Sequence, residues 1–316
     1  MGPGLRQLQY AYPQLPVLLA WLLPGGVLLL AIASCLYSGT VLAVLTRRIT
    51  FKRCFALLPL VCVPAMWYSA SQLLPAVIAL TFLAIALQGF IHFAADGDVH
   101  SGFMAGLALA AAYLADPSAL LFAAVMCLSV PLIGAVRQPG EPQRSLSVCA
   151  VLAFPCAAIV AIWSFLLWKF TGHWPGSLAY APSAHLLAFP AGVLPGLWHA
   201  VTATLTDLAH SVMYLAVALL VTRRRRSPGY GLALLLPVLA LALALWLGFD
   251  YDAVTAYLMF TLLAVTVITH NPTMNAPRLR KLLLIAAAAQ LALAFLWPPT
   301  SVGFEAWWHD LFRWAT

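Results

Sequence analysis

The acidic and histidine side chains of this 316-residue sequence form a few short groups that could bind a polar ligand. Asp207 and His210 are three residues apart, so one helical face would carry both, as a hydrogen-bonded pair, a metal site or a proton relay. Asp250 and Asp252 could share a divalent cation, or could be there because tight turns favour Asp. The candidate substrate-binding residues are Asp116, His173, Asp207, His210, Asp250 and Asp252.

The composition around these residues is that of a membrane protein. Hydrophobic residues make up 64% of the chain, charged residues 8%, and the mean hydropathy is +0.96. A soluble domain carries about 25% charged residues, and 16 basic with 9 acidic side chains cannot cover a 34.0 kDa globule. A soluble enzyme, a secreted disulfide scaffold and a disordered protein are therefore excluded.

Common soluble-enzyme motifs are missing from the sequence. It contains no GxxxxGK phosphate loop, no HExxH, no CxxC and no GxSxG. The six cysteines lie in or beside apolar runs, which indicates small buried hydrophobic residues. We therefore expect no cofactor, no resident metal and no nucleic-acid partner, with a divalent cation left open as a ligand of the acidic groups.

Ten apolar runs approach the length of about 20 residues that one membrane crossing requires. They are continuous and rich in Leu and Ala, which favours helices over barrel strands. The fold class predicted is an all-α, polytopic transmembrane bundle. The expected spans are 20–46, 54–70, 73–93, 102–115, 117–136, 145–168, 205–222, 229–248, 253–270 and 282–297.

The basic residues predict the orientation of these spans. If the first span runs inward, thirteen of the sixteen Lys and Arg residues lie in cytoplasmic connections, as the positive-inside rule requires. Both termini then face outward. The run Arg223, Arg224, Arg225 and Arg226 is a topology signal and a candidate site for lipid phosphate.

The segments outside the spans divide the chain further. Residues 1–19 are expected to lie in the outer interface and 298–316 to form an outer tail. Residues 20–168 hold six spans and 205–297 hold four, and the outer loop 169–204 between them either dips into the membrane or is anchored along it by tryptophans.

The pair 102–115 and 117–136 is separated only by Asp116-Pro117 and forms either two spans or one broken helix. Gly102, Gly106 and Ala110 make a small-residue stripe in the first of these segments, which predicts close helix packing. The spans otherwise carry few polar side chains, which counts against a channel or transporter.

Several stretches resemble the C-type membrane glycosyltransferases. They are Gly102 to Ala108 (GFMAGLA), Trp168 to Pro175 (WKFTGHWP) and a later span that ends in the arginine run, within about residues 55–226. The resemblance implies a polytopic scaffold that handles a polyprenyl-phosphate sugar at the outer face. The family carries an acidic residue in its first outer loop, whereas this sequence has no Asp or Glu before Asp96.

The absence of an acidic residue before Asp96 decides which function we expect. Either Asp116 or Asp207 has replaced it, or the chain is a non-catalytic subunit beside an active partner, and the second interpretation is preferred. We expect a multi-pass protein of the bacterial cytoplasmic membrane that assists envelope polysaccharide or lipid-linked sugar assembly or export, with membrane lipids and other membrane subunits as partners. The alternatives are a structural subunit of a secretion or respiratory machine and a small-solute transporter.

Overall fold

A computed structural model gives the fold of most of the chain. It describes residues 55–63, 66, 75–96, 98–116, 118–137, 142–171, 193–225, 228–246, 253–270 and 276–296. The described residues form helices and contain no strand, which confirms the all-α fold class. The N-terminal segment and first expected span, the C-terminal tail, and His173, Arg226, Asp250 and Asp252 lie outside the described residues.

Ten helices make up the described part of the chain. In chain order they are α1 Leu58–Val61, α2 Pro75–Asp96, α3 Val99–Ala115, α4 Ala119–Arg137, α5 Pro142–Thr171, α6 Val193–His210, α7 Val212–Arg225, α8 Pro228–Trp246, α9 Ala253–His270 and α10 Pro277–Leu296.

Several of these helices are long and apolar enough to cross a membrane. Within the described ranges three qualify, over Ala76–Phe93, Cys149–Leu166 and Pro277–Leu296, and a fourth is obtained if the bent pair α6 and α7 counts as one span. Four shorter apolar helices accompany them, over Val99–Ala115, Ala119–Leu132, Gly231–Trp246 and Val254–His270. Several apolar helices thus indicate a membrane protein, with three to four full-length spans.

Two expected segments differ from the observed helices. The span expected over 205–222 is broken at Ser211, where the axes of α6 and α7 differ by 94°. The outer loop expected over 169–204 is already helical from Val193 onward, because α6 begins there. No Gly or Pro marks the break in the sequence.

Helix α3 begins with a side-chain cap. The Asp98 carboxylate accepts hydrogen bonds from the backbone N–H of His100 at 3.1 Å and of Ser101 at 3.2 Å, and from the Ser101 hydroxyl at 2.6 Å. The Ser101 hydroxyl, with the two backbone N–H groups, lowers the pKa of Asp98 below its usual value. Asp98 therefore fixes the start of α3 by satisfying N–H groups that the helix leaves open.

The small-residue stripe of α3 is buried, as its spacing predicts. Gly102, Gly106 and Ala110 all lie on the covered face of the helix. A Cβ atom at Gly106 would stand 2.5 Å from the Leu152 carbonyl oxygen of α5, and one at Gly102 would stand 3.0 Å from the Phe93 ring of α2. Gly106 therefore lets α3 approach the backbone of α5 this closely, and Gly102 leaves room for the Phe93 ring of α2.

Helix α9 lies at the centre of the bundle. It contacts α1, α2, α6 and α7, and its side chains from Thr255 to Leu262 are almost fully buried. The Phe260 ring packs edge-on against Phe122 of α4 at 6.3 Å and contacts Tyr214 of α7 at 4.8 Å between centroids. A polar group on α9 is therefore held in the interior of the protein.

Candidate functional site

Asp116 occupies the turn between α3 and α4 and is only 7% exposed. Its carboxylate accepts the Ser118 backbone N–H at 2.9 Å and the Ser118 hydroxyl, both on Oδ1. Oδ2 accepts the Thr255 hydroxyl of α9 at 2.6 Å. The first contacts close the turn at the start of α4, and the third fastens that turn to the central helix.

This network explains the acid at position 116 in structural terms. Charge-assisted hydrogen bonds to both carboxylate oxygens offset the cost of burying the group. The donors all belong to the turn or to α9, so the network accounts for Asp116 without a substrate.

A second polar group is built around the junction of α6 and α7. The Ser211 N–H donates to the Leu208 carbonyl at 3.0 Å, which closes the end of α6. The Ser211 carbonyl then accepts the N–H groups of Tyr214 at 2.9 Å and Leu215 at 3.2 Å, which begins α7. Ser211 thus belongs to neither helix and links the two at their 94° bend.

Gln290 of α10 supports this junction from the side. Its Oε1 accepts the Met213 N–H of α7 at 2.9 Å, and its Nε2 donates to the Thr261 hydroxyl of α9 at 2.8 Å. The Thr261 hydroxyl donates in turn to the Tyr257 carbonyl at 2.8 Å. Gln290, Thr261 and Met213 are all fully buried, so one amide joins three helices in the interior.

The tyrosines of this region extend the hydrogen-bond network to two further helices. The Tyr257 hydroxyl donates to the Pro59 carbonyl of α1 at 3.3 Å. The Tyr214 hydroxyl donates to the Leu234 carbonyl of α8. The polar interior around the break therefore involves α1, α7, α8, α9 and α10.

Two hydroxyls beside the break have no hydrogen-bond partner within the described part of the chain. They are Thr204 Oγ1 and Ser211 Oγ, on residues that are 1% and 0% exposed. Buried hydroxyls are normally hydrogen-bonded to protein or to water, so each exception requires an explanation. The two residues are seven positions apart, Thr204 within α6 and Ser211 at the break itself.

Asp207 and His210 lie in the last turn of α6, as their spacing requires. Asp207 is half-buried, and the His210 Nδ1 lies 2.7 Å from the Thr206 carbonyl of its own helix. Across the described ranges, no three His, Cys, Asp or Glu side chains come close enough to hold a metal ion. Within the described helices, no third His, Cys, Asp or Glu side chain therefore joins Asp207 and His210 to complete a metal site.

The other predicted residues are spread over the molecule. Arg223 is exposed near the end of α7, and Arg224 and Arg225 continue that helix. Asp116 lies at the α3–α4 turn and does not share hydrogen bonds with the α6–α7 junction. Of the six candidate substrate-binding residues, the structure describes three: Asp116 at the α3–α4 turn, and Asp207 and His210 in the last turn of α6.

The few polar side chains of the spans include several that are buried near the α6–α7 break, Gln290 and Thr261 among them. Gln290 is the one strongly polar residue in the run from Leu282 to Leu296, and that isolation was the available signal. The sequence does not single out Ser211, Thr204 or Thr261 in this way. Hydroxyl residues are common in membrane helices, where they bond to their own backbone.

Comparison with protein-family models, with curated proteins and with solved structures found no match.

Proposed function

We propose that this chain is a non-catalytic, membrane-embedded subunit with a scaffold like that of the C-type glycosyltransferases. It assists envelope polysaccharide or lipid-linked sugar assembly or export in the bacterial cytoplasmic membrane. In this proposal it has ten spans, with both termini outside and Arg223 to Arg226 at the inner leaflet. Its partners are membrane lipids, a polyprenyl-phosphate lipid among them, and an active enzyme subunit.

The observation that carries the non-catalytic part is the state of Asp116. A general base or metal ligand needs an oxygen that can reach substrate or ion. Both Asp116 oxygens accept hydrogen bonds from Ser118 or Thr255, and the side chain is buried. Asp116, one of the two possible replacements for the family's missing acid, thus holds the fold.

The order of elements supports the scaffold part. Helices α3 and α4 are consecutive, α3 carries the buried Gly102 and Gly106 near its start, and α5 runs to Thr171 within the WKFTGHWP stretch. Helix α7 ends in the arginine run. These elements follow the sequence order on which the resemblance rests.

The exposure of α5 supports the association with a partner. Its apolar window Cys149–Leu166 is 17% buried, compared with 61% for the window Ala76–Phe93 of α2. Phe154, Ile162 and Phe165 are each more than half exposed. This face offers a long apolar surface to lipid or to a neighbouring subunit.

Native-membrane purification tests the proposal. The full chain would be excised from its membrane with its surrounding lipid, and its lipids and co-purifying proteins identified by mass spectrometry. We expect enrichment of a polyprenyl-phosphate lipid and of a glycosyltransferase subunit over another multi-span protein prepared in the same way. Enrichment of neither, across several mild extraction conditions, contradicts the proposal.

A matched variant tests the non-catalytic part. Asp116→Asn keeps the side-chain shape and the acceptor for the Ser118 N–H while removing the carboxylate. We expect cells with this variant to assemble the same glycan at the same level, once protein amounts are equalised. Loss of glycan with normal protein levels would assign a catalytic role to Asp116.

Small-solute transport is the second candidate, and the α6–α7 break is the observation that favours it. Transporters bind their substrates where discontinuous helices expose backbone polar groups in the bundle interior. A break of 94° flanked by buried polar side chains is such a feature. Uptake of ions, sugars or amino acids into vesicles that contain the purified chain would establish this function. Uptake no faster than into protein-free vesicles would exclude it for the solutes tested.

A further inference from the structure

We propose that the exposed face of α10 is a binding surface for one anionic phospholipid. The lipid phosphate lies at Arg278 and Lys281, and the acyl chains follow the apolar side chains that continue this face, beginning with Leu282 and Ile285. This surface goes beyond the proposed function and does not depend on it.

The first step of the argument is the register of the exposed residues of α10. Arg278, Lys281, Leu282 and Ile285 are related by steps of three and four, so they lie along one face of a single helix. All four side chains are exposed, Leu282 by 47% and Ile285 by 69%. Two cations and an apolar surface therefore follow one another within about two helical turns.

The second step is the state of this face. The span Pro277–Leu296 is only 28% buried. Helix α10 packs against α1, α6 and α7 with its other face, whose buried residues are Leu283, Ala286, Ala287, Gln290 and Ala294. The exposed face continues to Leu296, which is 77% exposed. Among the described helices, none covers the face that carries Arg278 and Ile285.

The third step is the charge balance of the two cations. The sequence from Ala253 to Phe304 holds no acidic residue. The helices α1, α6 and α7 carry a single acid, Asp207, which lies beside the α6–α7 junction. Gln290 contacts that junction and is nine residues from Lys281, about 13 Å along α10. The described helices that pack on α10 therefore place no acid at the level of the two cations.

The fourth step is the position of the basic residues on the helix. Arg278, Arg280 and Lys281 all lie close to the N-terminal end of α10, and its first turn holds no acid. The helix dipole is positive at this end, so it favours acidic side chains and disfavours basic ones. Like charges three residues apart also repel each other. The basic residues therefore do not stabilise α10 itself, and a negative group outside the chain would relieve their repulsion.

The fifth step is the chemistry of the occupant. Lys and Arg side chains at the end of a span reach toward the lipid headgroups, and the apolar residues after them face the acyl chains. A ligand that uses both parts has an anionic head and an apolar tail. An anionic phospholipid has both, whereas a free phosphate lacks the tail and a zwitterionic phospholipid carries its own cation beside the phosphate. Anionic lipids attract basic residues at the ends of spans.

Lipid titration of the full-length chain in a mild non-ionic detergent tests this surface. Native mass spectrometry would count the phosphatidylglycerol molecules bound per chain, with phosphatidylcholine as the zwitterionic comparison. We expect one phosphatidylglycerol to bind at least tenfold more tightly, because each cation strengthens the attraction about fivefold. Equal binding of the two lipids would overturn the proposal, and so would displacement of the bound lipid by inorganic phosphate.

Variants separate this surface from a general effect of positive charge. Arg278→Gln and Lys281→Gln should each weaken phosphatidylglycerol binding about fivefold. Arg280→Gln is the matched control, because it removes the same charge from the same exposed turn. Arg280 precedes the buried Leu283 and Ala287 by three and seven residues, so it lies nearer the covered face. Its replacement should therefore weaken binding much less. Equal losses in all three variants would overturn the assignment to this face.

A measurement on the wild-type chain covers the case in which a variant fails to fold. Phosphatidylglycerol with a photoactivatable group in one acyl chain would be cross-linked to the chain in nanodiscs, and the modified peptides identified by mass spectrometry. We expect the cross-links to concentrate on α10 around Leu282 and Ile285. Cross-links spread over all exposed helices in proportion to their exposure would overturn the proposal. The assay needs no lipid-linked sugar and no partner, so its result is separate from that of the glycan experiments.

Discussion

The side-chain amide of Gln290 accepts the backbone N–H of Met213 at 2.9 Å, across 77 positions of sequence. Met213 lies in the first turn of α7, where a helix leaves its N–H groups without partners. Gln290 of α10 therefore provides an acceptor for an N–H group at the start of α7, directly after the break at Ser211. This tertiary contact stabilises the start of α7 directly after the bend.

The first prediction concerns this contact. Gln290→Leu removes the acceptor and leaves the Met213 N–H unsatisfied in the interior, which costs about 1–3 kcal/mol of unfolding free energy. We expect a lower Tm and a lower denaturant midpoint in the same detergent. Leu284→Ala on the exposed face of α10 is the control and should change stability little. If Gln290→Leu lowered the Tm no more than Leu284→Ala does, the hydrogen bond between Gln290 and Met213 would contribute nothing to stability.

The second prediction concerns Asp116 and Thr255. Asp116→Ala removes the acceptor for the Ser118 N–H in the turn before α4 and the link to Thr255 of α9, and we expect a loss of about 2–4 kcal/mol of unfolding free energy because both buried hydrogen bonds disappear. Asp116→Asn should lose less, since it keeps one acceptor. A double-mutant cycle of Asp116→Ala with Thr255→Val should give a coupling energy of about 1–3 kcal/mol. Additive effects would contradict the hydrogen bond between them.

The third prediction concerns helix packing at Gly106. Alanine favours a helix over glycine by about 1 kcal/mol, yet its Cβ would stand 2.5 Å from the Leu152 carbonyl oxygen. Backbone cannot yield as a side chain can, so overpacking of about 1–3 kcal/mol should prevail and Gly106→Ala should lower the Tm. Gly231→Ala is the matched control, because its nearest neighbour is the Thr222 methyl group at 3.2 Å. That control should be neutral or stabilising.

The fourth prediction concerns orientation. Single cysteines would be placed at Lys169 and Arg223, both exposed, in a chain without its native cysteines. A thiol reagent that cannot cross membranes should label position 169 in intact cells and position 223 only after the cells are opened. The reverse pattern would invert the positive-inside assignment and move the arginine run to the outer face.

The membrane class could be predicted from composition, because a chain with 8% charged residues cannot cover a water-exposed surface. The helical class followed from the continuous runs rich in Leu and Ala. The segment expected over 253–270 matches the bounds of α9, since its ends are marked by a drop in hydropathy. Gly102 and Gly106 also gave a correct prediction, because the absence of a side chain matters most where two helices approach closely.

The α6–α7 break could not be predicted in the same way. Hydropathy averages over a window, and the apolar run after Ser211 outweighs the polar residues Thr206, Asp207 and His210 that precede it. Nothing local forces the helix to stop there, and the carbonyl of Ser211 and the distant amide of Gln290 provide the bonds that permit it to restart. A feature that depends on two segments far apart in sequence has no local signature.

The positions of the polar side chains were likewise predictable only where they depend on local helix geometry. Sequence spacing placed Asp207 and His210 in one helical turn, because helix geometry is local. Only the tertiary structure decided that Asp116 bonds to Thr255 of α9, and that Thr204 and Ser211 are buried beside a break with their hydroxyls without partners within the described ranges. The overall composition of a chain decides whether it folds in lipid or in water. The hydrogen-bond partner of each buried polar group depends on which helices pack together.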